Sequence, residues 1–209
     1  MPRISAAREE ATRRSLLRAA RNVFVAKGFH EATTHDVARE AGLSVGSIYT
    51  YFRNKDDLIH ESILAANKEE ADAVLRDVQP SGTVRDKLAR AIAGWYAYTI
   101  DAPGVPSFLA EAWAAASRRP LIRDMVARRR ERIVTVATVI LQEGVASGEI
   151  GPNLDVDAVA RALAAMLDGV VLECVASGAP PSRVDVERRA LLLLGRADQA
   201  DPAAAPAEA

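Results

Sequence analysis

The sequence predicts an all-α fold, a three-helix N-terminal module followed by a larger helical domain, with about nine helices in total. Three observations predict it. Apolar residues recur at steps of three and four through most of the chain. No segment alternates with the period of two that a half-buried strand requires. Clusters of Pro, Gly and Ser cut the pattern into pieces of helical length.

The elements follow in order. Met1 to Ala7 reads as an arm without fixed structure, and its Arg3, with Arg8, reads as solvated surface charge before it reads as a flexible arm that reaches a polyanion. From Arg8 to Lys27, Leu16, Leu17, Ala20, Val23 and Phe24 form one helical face. Gly28 and Phe29 then supply the left-handed residue and apolar contact that end a helix.

Thr33 and Asp36 stand at capping-box spacing ahead of a two-turn helix ending at Ala41-Gly42. Ser44 caps the next helix, with Leu43 and Ile48 placed to close a hydrophobic staple. At 100° per residue Val45, Ile48 and Phe52 share one stripe, and Gly46, Ser47 and Thr50 point the other way. Tyr49 and Tyr51 fall on the flanks, where a phenol reaches sideways to a phosphate oxygen. Asn54 caps a fourth helix with Lys55 in its first turn, a combination that attracts anions.

Two short helices joined by a tight Gly-containing turn make a helix-turn-helix. With the helix before them, the stretches LLRAARNVFVAKGF (Leu16 to Phe29) and TTHDVAREAGLSVGSIYTYFRNKDDLI (Thr33 to Ile59) resemble the DNA-binding domain of the TetR family of transcriptional regulators. The resemblance implies phosphate contacts from Thr33, Tyr49 and Lys55. It also implies major-groove positions for His35, Val45, Gly46, Ser47 and Thr50, with His35 and Thr50 setting sequence preference. Thr34, Ser44 and Tyr51 complete the expected DNA-binding set.

The fourth helix should run from Lys55 to about Val78 and stop at Pro80-Ser81-Gly82, long enough to connect two domains. Helices follow from Val84 to Ile100, Ser107 to Ser117, Leu121 to about Ser147 and Asp155 to about Ser177, and a last one begins at Ser182. The expected domains are 1–54 (arm and DNA binding), 55–197 (ligand binding and dimerisation) and a disordered tail, 198–209, rich in Ala, Pro and Asp.

The helix from Asp155 has two apolar rows, Val159-Leu163-Met166-Val170 and Ala160-Leu167-Val171-Cys174, and the last helix carries four consecutive leucines. A helix apolar on two sides must bury both. A two-fold four-helix interface through Val159, Leu163, Val170, Leu191 and Leu194 is therefore expected, and the resemblance implies the same dimer.

Five aromatics, Trp95, Tyr96, Tyr98, Phe108 and Trp113, cluster in the central helices, as core or as the wall of an organic-ligand pocket. Arg129 lies within the apolar stripe Ile122, Met125, Val126, Ile133, Val136 and Ile140. An inward arginine needs a carboxylate or an anionic ligand, and a structural pair with Glu111 or Asp168 is favoured over ligand recognition. The candidate ligand-binding set is Trp95, Tyr98, Phe108, Glu111, Trp113, Met125, Arg129 and Asp168. Arg128 to Arg132 otherwise reads as a solvated face.

Composition is that of a globular protein, 49% hydrophobic and 26% charged, with net charge −1. The charge is segregated: ten Lys and Arg against six Asp and Glu through Asp56, and 17 against 22 beyond it. A basic module on an acidic body suits phosphate contact at one end only. The lone Cys174 excludes a disulfide framework, and no apolar run reaches membrane-spanning length, so a cytoplasmic protein is expected.

His30, His35 and His60 show no metal-ligand spacing, and no glycine-rich phosphate loop occurs, so neither an enzyme nor a cofactor is expected. The function implied is a homodimeric regulator of a pseudo-palindromic DNA operator, a repressor released by a small organic ligand. An activator would carry the same residues.

Overall fold

The computed structural model describes residues 6–77 and 81–198, with side chains over 7–72 and 81–195. Among the described residues there are nine helices and no strand: α1 (Ala6–Glu31), α2 (Thr34–Ala41), α3 (Val45–Tyr51), α4 (Lys55–Asp77), α5 (Val84–Thr99), α6 (Val105–Ala116), α7 (Pro120–Ser147), α8 (Val156–Ser177) and α9 (Arg183–Asp198). No described helix is long and apolar enough to cross a membrane. Arg3, the stop signal at Pro80 and the tail after Asp198 lie outside the described residues.

The helix ends follow the local chemistry. Gly28 leaves helical geometry at φ 73° and ψ 166°, which breaks α1 three residues before its end. Thr33 caps α2 through a complete capping box with Asp36, and Gly42 closes it at φ 64°. Ser44 caps α3, Thr83 and Asp86 cap α5, and Asp155 caps α8. One expectation is corrected. The Asp101-to-Pro106 stretch does not stay outside the sixth helix, which starts at Val105 with Pro106 in its first turn. Proline is tolerated there because a first-turn N–H has no intrahelical acceptor.

The expected boundary at residue 54 followed the motif, whereas among the described residues compact packing groups those up to Glu69 with 102–126, and those from Glu70 to Asp101 with those from Ala127 onward. In the first unit Leu16, Ala20, Phe24, Val37, Ile48, Phe52, Leu58 and Ile59 are buried together with Phe108, Ala112, Ile122 and Met125 from α6 and α7. Phe29 meets Phe24 and Phe108 edge to face, with ring centroids 5.3 and 5.6 Å away. Gly104, at φ 76°, lets α6 start against α1, since a Cβ there would lie 2.6 Å from Val25 Cγ1.

The second unit packs α9 on α5 and α8. Leu88, Ile92, Trp95, Ile140, Leu141, Val159, Leu163, Val170, Val171 and Val186 are buried. Glu149 accepts the Val84 N–H at 2.8 Å, satisfying an orphan donor at the start of α5, and the Tyr96 hydroxyl donates to the Pro181 carbonyl at 2.9 Å.

Candidate nucleic-acid interface and ligand cavity

The α2-turn-α3 motif is anchored from below and open above. Ile48 and Phe52 are buried, Val45 packs against the same core, and Arg13 sits over the Phe52 ring. On the opposite side His35, Ser44, Gly46, Tyr49 and Thr50 are exposed and Ser47 is half-buried. The anchored and open faces are the two that the 100° spacing predicts.

Hydrogen bonds inside the motif set what that face can offer. Thr50 Oγ1 donates to the Gly46 carbonyl at 3.2 Å, so outward it has lone pairs and a methyl rather than a donor. Ser44 and Ser47 hydroxyls share a hydrogen bond of 2.9 Å, and Ser44 also accepts from the Ser47 N–H at 3.2 Å. Thr34 is buried, and its hydroxyl lies 3.3 Å from the Tyr49 hydroxyl, which steadies the phenol. Tyr51 is half-buried beside Phe52.

Thr33 is engaged as the α2 cap. Asp36 pairs with Lys27 at 2.7 Å and completes the capping box, and these bonds, the Lys27 one foremost, hold its carboxyl well below the usual aspartate range. Lys55 Nζ donates to the His30 carbonyl at 2.9 Å, tying α4 to the end of α1 and leaving two of its three N–H groups for a phosphate. Burial, then Arg119, push its pKa down.

A cavity of about 320 Å³ lies in the second unit. Leu88, Ile92, Ile133, Val136, Leu163 and Met166 make its apolar wall, with Glu70, Trp95, Arg129 and Arg132 among the polar lining groups. Of the eight residues expected there, Trp95 and Arg129 line it, and Asp168 accepts from Arg129 at 3.3 Å.

Phe108 and Met125 are buried in the core of the first unit instead, because α6 and the start of α7 pack there. Glu111 belongs to that unit too, and accepts the Phe29 N–H at 2.9 Å where Gly28 breaks α1. Trp113, also in that unit, and Tyr98 are half-buried and do not line the cavity.

Arg129 is buried, as its place in the apolar stripe requires, and its main partner is a residue the sequence reading passed over. Glu70 accepts from Arg129 Nε at 2.9 Å and Nη2 at 2.6 Å, and from the Thr99 hydroxyl at 2.9 Å. A bidentate arginine–carboxylate pair with a third donor satisfies both buried charges. The signal was present: Ile59, Ile63, Ala66 and Glu70 fall on one helical stripe of α4, but Glu69 and Asp72 beside Glu70 make the segment look solvated. Asp168 also pairs with Arg130 at 2.7 Å. Its pKa is nonetheless raised, because burial outweighs the two arginines.

Burial divides the expected interface row. Val159, Leu163 and Val170 are at most 6% exposed and face the interior of their own unit, while Leu191 and Leu194 are half-buried. The open face of α8 is a different row, Ala158, Ala162, Ala165, Gly169, Leu172 and Ala176, at alternating steps of four and three. On α9, Val184 and Leu192 are 68% and 56% exposed.

The histidines do not gather, yet Asp57, His60 and Glu61 bring ligand-type atoms within 4.8 Å of one another. Arg53 and Arg13 already pair with the two carboxylates, which makes this an ion-pair cluster.

A buried three-helix anchor that presents a capped, small-residue helix beyond a tight turn defines a helix-turn-helix DNA-binding protein. Residues 16–62 match the model of bacterial regulatory proteins of the tetR family, and residues 84–196, over half of the chain, match that of the BetI-type transcriptional repressor C-terminal domain. The chain belongs to the TetR family of transcriptional regulators.

Among its relatives is the HTH-type transcriptional regulator UidR of Escherichia coli K12, 26% identical over 164 residues, 78% of this chain and 82% of that protein. Two solved structures share the fold. The Bacillus subtilis regulator FadR, in complex with stearoyl-CoA, superposes with a TM-score of 0.75 at 23% identity over 87% of this chain and 97% of that one. A Saccharomonospora viridis transcriptional regulator in complex with choline superposes with a TM-score of 0.75 at 22% identity, over 90% and 96%.

Proposed function

We propose that this chain is a cytoplasmic, homodimeric repressor that binds a pseudo-palindromic operator and leaves it when a small organic molecule fills the cavity in residues 70–101 and 127–209. The observation that carries the reading is the division of α3, with Ile48 and Phe52 buried while Gly46, Tyr49 and Thr50 stand open. A helix held this way enters a major groove, its small residues letting the backbone come close to base edges. Thr50 then reads a base through acceptor lone pairs or its methyl. Thr33, Tyr49 and Lys55 hold phosphates.

Dimerisation uses the open faces of α8 and α9. Ala162, Ala165 and Gly169 allow helix axes to approach closely, and Leu172 and Leu192 give such an interface apolar area. Two copies then present two α3 helices to two half-sites.

Release runs through α4, one continuous helix whose Leu58, Ile59 and Ile63 are buried in the DNA-binding unit and whose Glu70 lines the cavity. A ligand that prefers one placement of Glu70 shifts the population of α4 positions. Moving that balance from 1:99 to 99:1 takes roughly 5.5 kcal/mol of differential affinity.

The test is selection of bound sequences from a random DNA pool by purified protein, followed by anisotropy titration. A two-fold symmetric winner bound with a Kd of roughly 10⁻⁸ M or tighter is expected. No enrichment by folded, dimeric protein would remove the DNA-binding reading.

A further inference from the structure

The cavity in the second unit contains more donors than acceptors. Its wall is apolar except for a few groups, and most of those are already matched. Arg129 and Arg130 are balanced by Glu70 and Asp168. Arg132 is left over: it makes no ion pair among the described residues, and its Nη2 is buried without a hydrogen-bond partner. The Trp95 indole N–H is buried and unpartnered in the same way, on a side chain 2% exposed.

Both residues line the same cavity. A buried donor left unsatisfied costs roughly 1–3 kcal/mol, and more when charged, so two on the wall of one void call for an acceptor inside it.

We infer that the cavity takes a small amphipathic organic anion, a monocarboxylate whose head accepts from Arg132 and the Trp95 N–H while its apolar body lies along Leu88, Ile92, Ile133 and Leu163. Two further observations agree. Burial lowers the Arg132 pKa more than the nearby Glu70 raises it, with Arg129 adding to the lowering, so a carboxylate bonded directly to Arg132 would stabilise its charge further. The lining also lacks what a quaternary ammonium needs, since Trp95 is its only aromatic and an aromatic cage takes several.

Size bears on the body. At about 320 Å³ the cavity stands at the small end of organic-ligand pockets, which suits a medium-length body such as that of octanoate. The choline bound by the Saccharomonospora viridis neighbour is a cation, and this chain, on these grounds, selects the opposite charge.

The inference deepens the ligand-released reading and rests on it for its regulatory meaning alone. The test is calorimetric titration of the full chain with hexanoate, octanoate and decanoate, against 1-octanol and choline. Octanoate is expected to bind at least tenfold more tightly than 1-octanol or choline. Arg132→Met should remove most of that preference, and Trp95→Phe, which keeps the ring and loses the N–H, part of it, both leaving 1-octanol within about twofold.

Thermal melts show whether each variant is folded, and Trp95→Phe decides the matter if Arg132→Met is not. Equal binding of octanoate and 1-octanol, preferential binding of choline, or failure of all three acids to bind overturns the inference. Operator binding by ligand-free protein is measured separately. Octanoate binding without any operator would sink the regulator reading and leave this one standing, and the reverse result would do the opposite.

Discussion

Replacing Glu70 by Gln keeps the shape of the buried cluster and removes one charge. In the native chain Arg129, 3% exposed, is held by two bonds to Glu70 at 2.9 and 2.6 Å and by a longer one to Asp168 at 3.3 Å, while Glu70 also accepts from Thr99. Breaking a buried pair from one side costs about 3–5 kcal/mol, because the other charge stays behind without its counter-ion. Asp168 remains within reach, which puts the expected cost near the lower bound, about 3 kcal/mol.

For a chain of this length each kcal/mol lowers the melting temperature by about 2–4 °C, so Glu70→Gln should melt roughly 6–12 °C below the wild type. Circular dichroism melts at neutral pH measure it. Two companions sharpen the result. Arg161→Gln, which breaks an exposed pair with Asp157, should leave the melt almost unchanged. Glu70→Leu combined with Arg129→Met should recover most of the loss, since an apolar pair of similar volume needs no charge compensation. A Glu70→Gln melt within 2 °C of wild type, or a double variant less stable than Glu70→Gln, would refute the argument that the cluster is held by charge pairing in a desolvated site.

Thr50→Ala should alter preference at one base-pair position, whereas Lys55→Ala should weaken all sites alike and flatten the salt slope by about one; identical selection profiles for wild type and Thr50→Ala would remove Thr50 from the readout. Gly104→Ala should destabilise by about 2–4 kcal/mol, adding a left-handed backbone penalty to a clash with Val25, and an unchanged melt would contradict the close approach of α6 and α1. Ala165→Arg should give monomers in sedimentation velocity at micromolar concentration and abolish high-affinity operator binding; an intact dimer would move the interface away from the open face of α8.

Asp36 gives a pH prediction. Its folded pKa is depressed, so its contribution to α2 is complete above the ordinary value of 3.8 and lost only as pH falls below that toward the folded pKa. A carboxyl chemical-shift titration with its midpoint at 3.8 or higher would show that the capping box does not hold in solution.

The sequence by itself determined the elements and the reading head. Helix starts were legible in Thr33 with Asp36 and in Ser44, because a cap bonds a backbone N–H two or three residues away and needs no distant partner. The two faces of α3 were legible for a similar reason, since 100° per residue places Ile48 and Phe52 opposite Gly46 and Thr50 whatever surrounds the helix. That Arg129 lies in an apolar stripe, and so needs a counter-charge, was also a local fact.

Which counter-charge it takes was not, because helical periodicity assigns a residue to a face without saying what that face meets. Only the tertiary structure put Glu70 against Arg129, 59 residues apart, and sent Phe108, Glu111 and Met125 to the other unit. The two apolar rows of α8 show the same limit. Both Val159-Leu163-Val170 and Ala160-Leu167-Val171 are buried within one chain, and the row left open is the small-residue one that hydrophobicity alone passes over. Local bonds and periodicity are written along the chain, but the partners of a buried charge or an apolar face are set by how distant helices pack, and that is fixed only when the whole core closes.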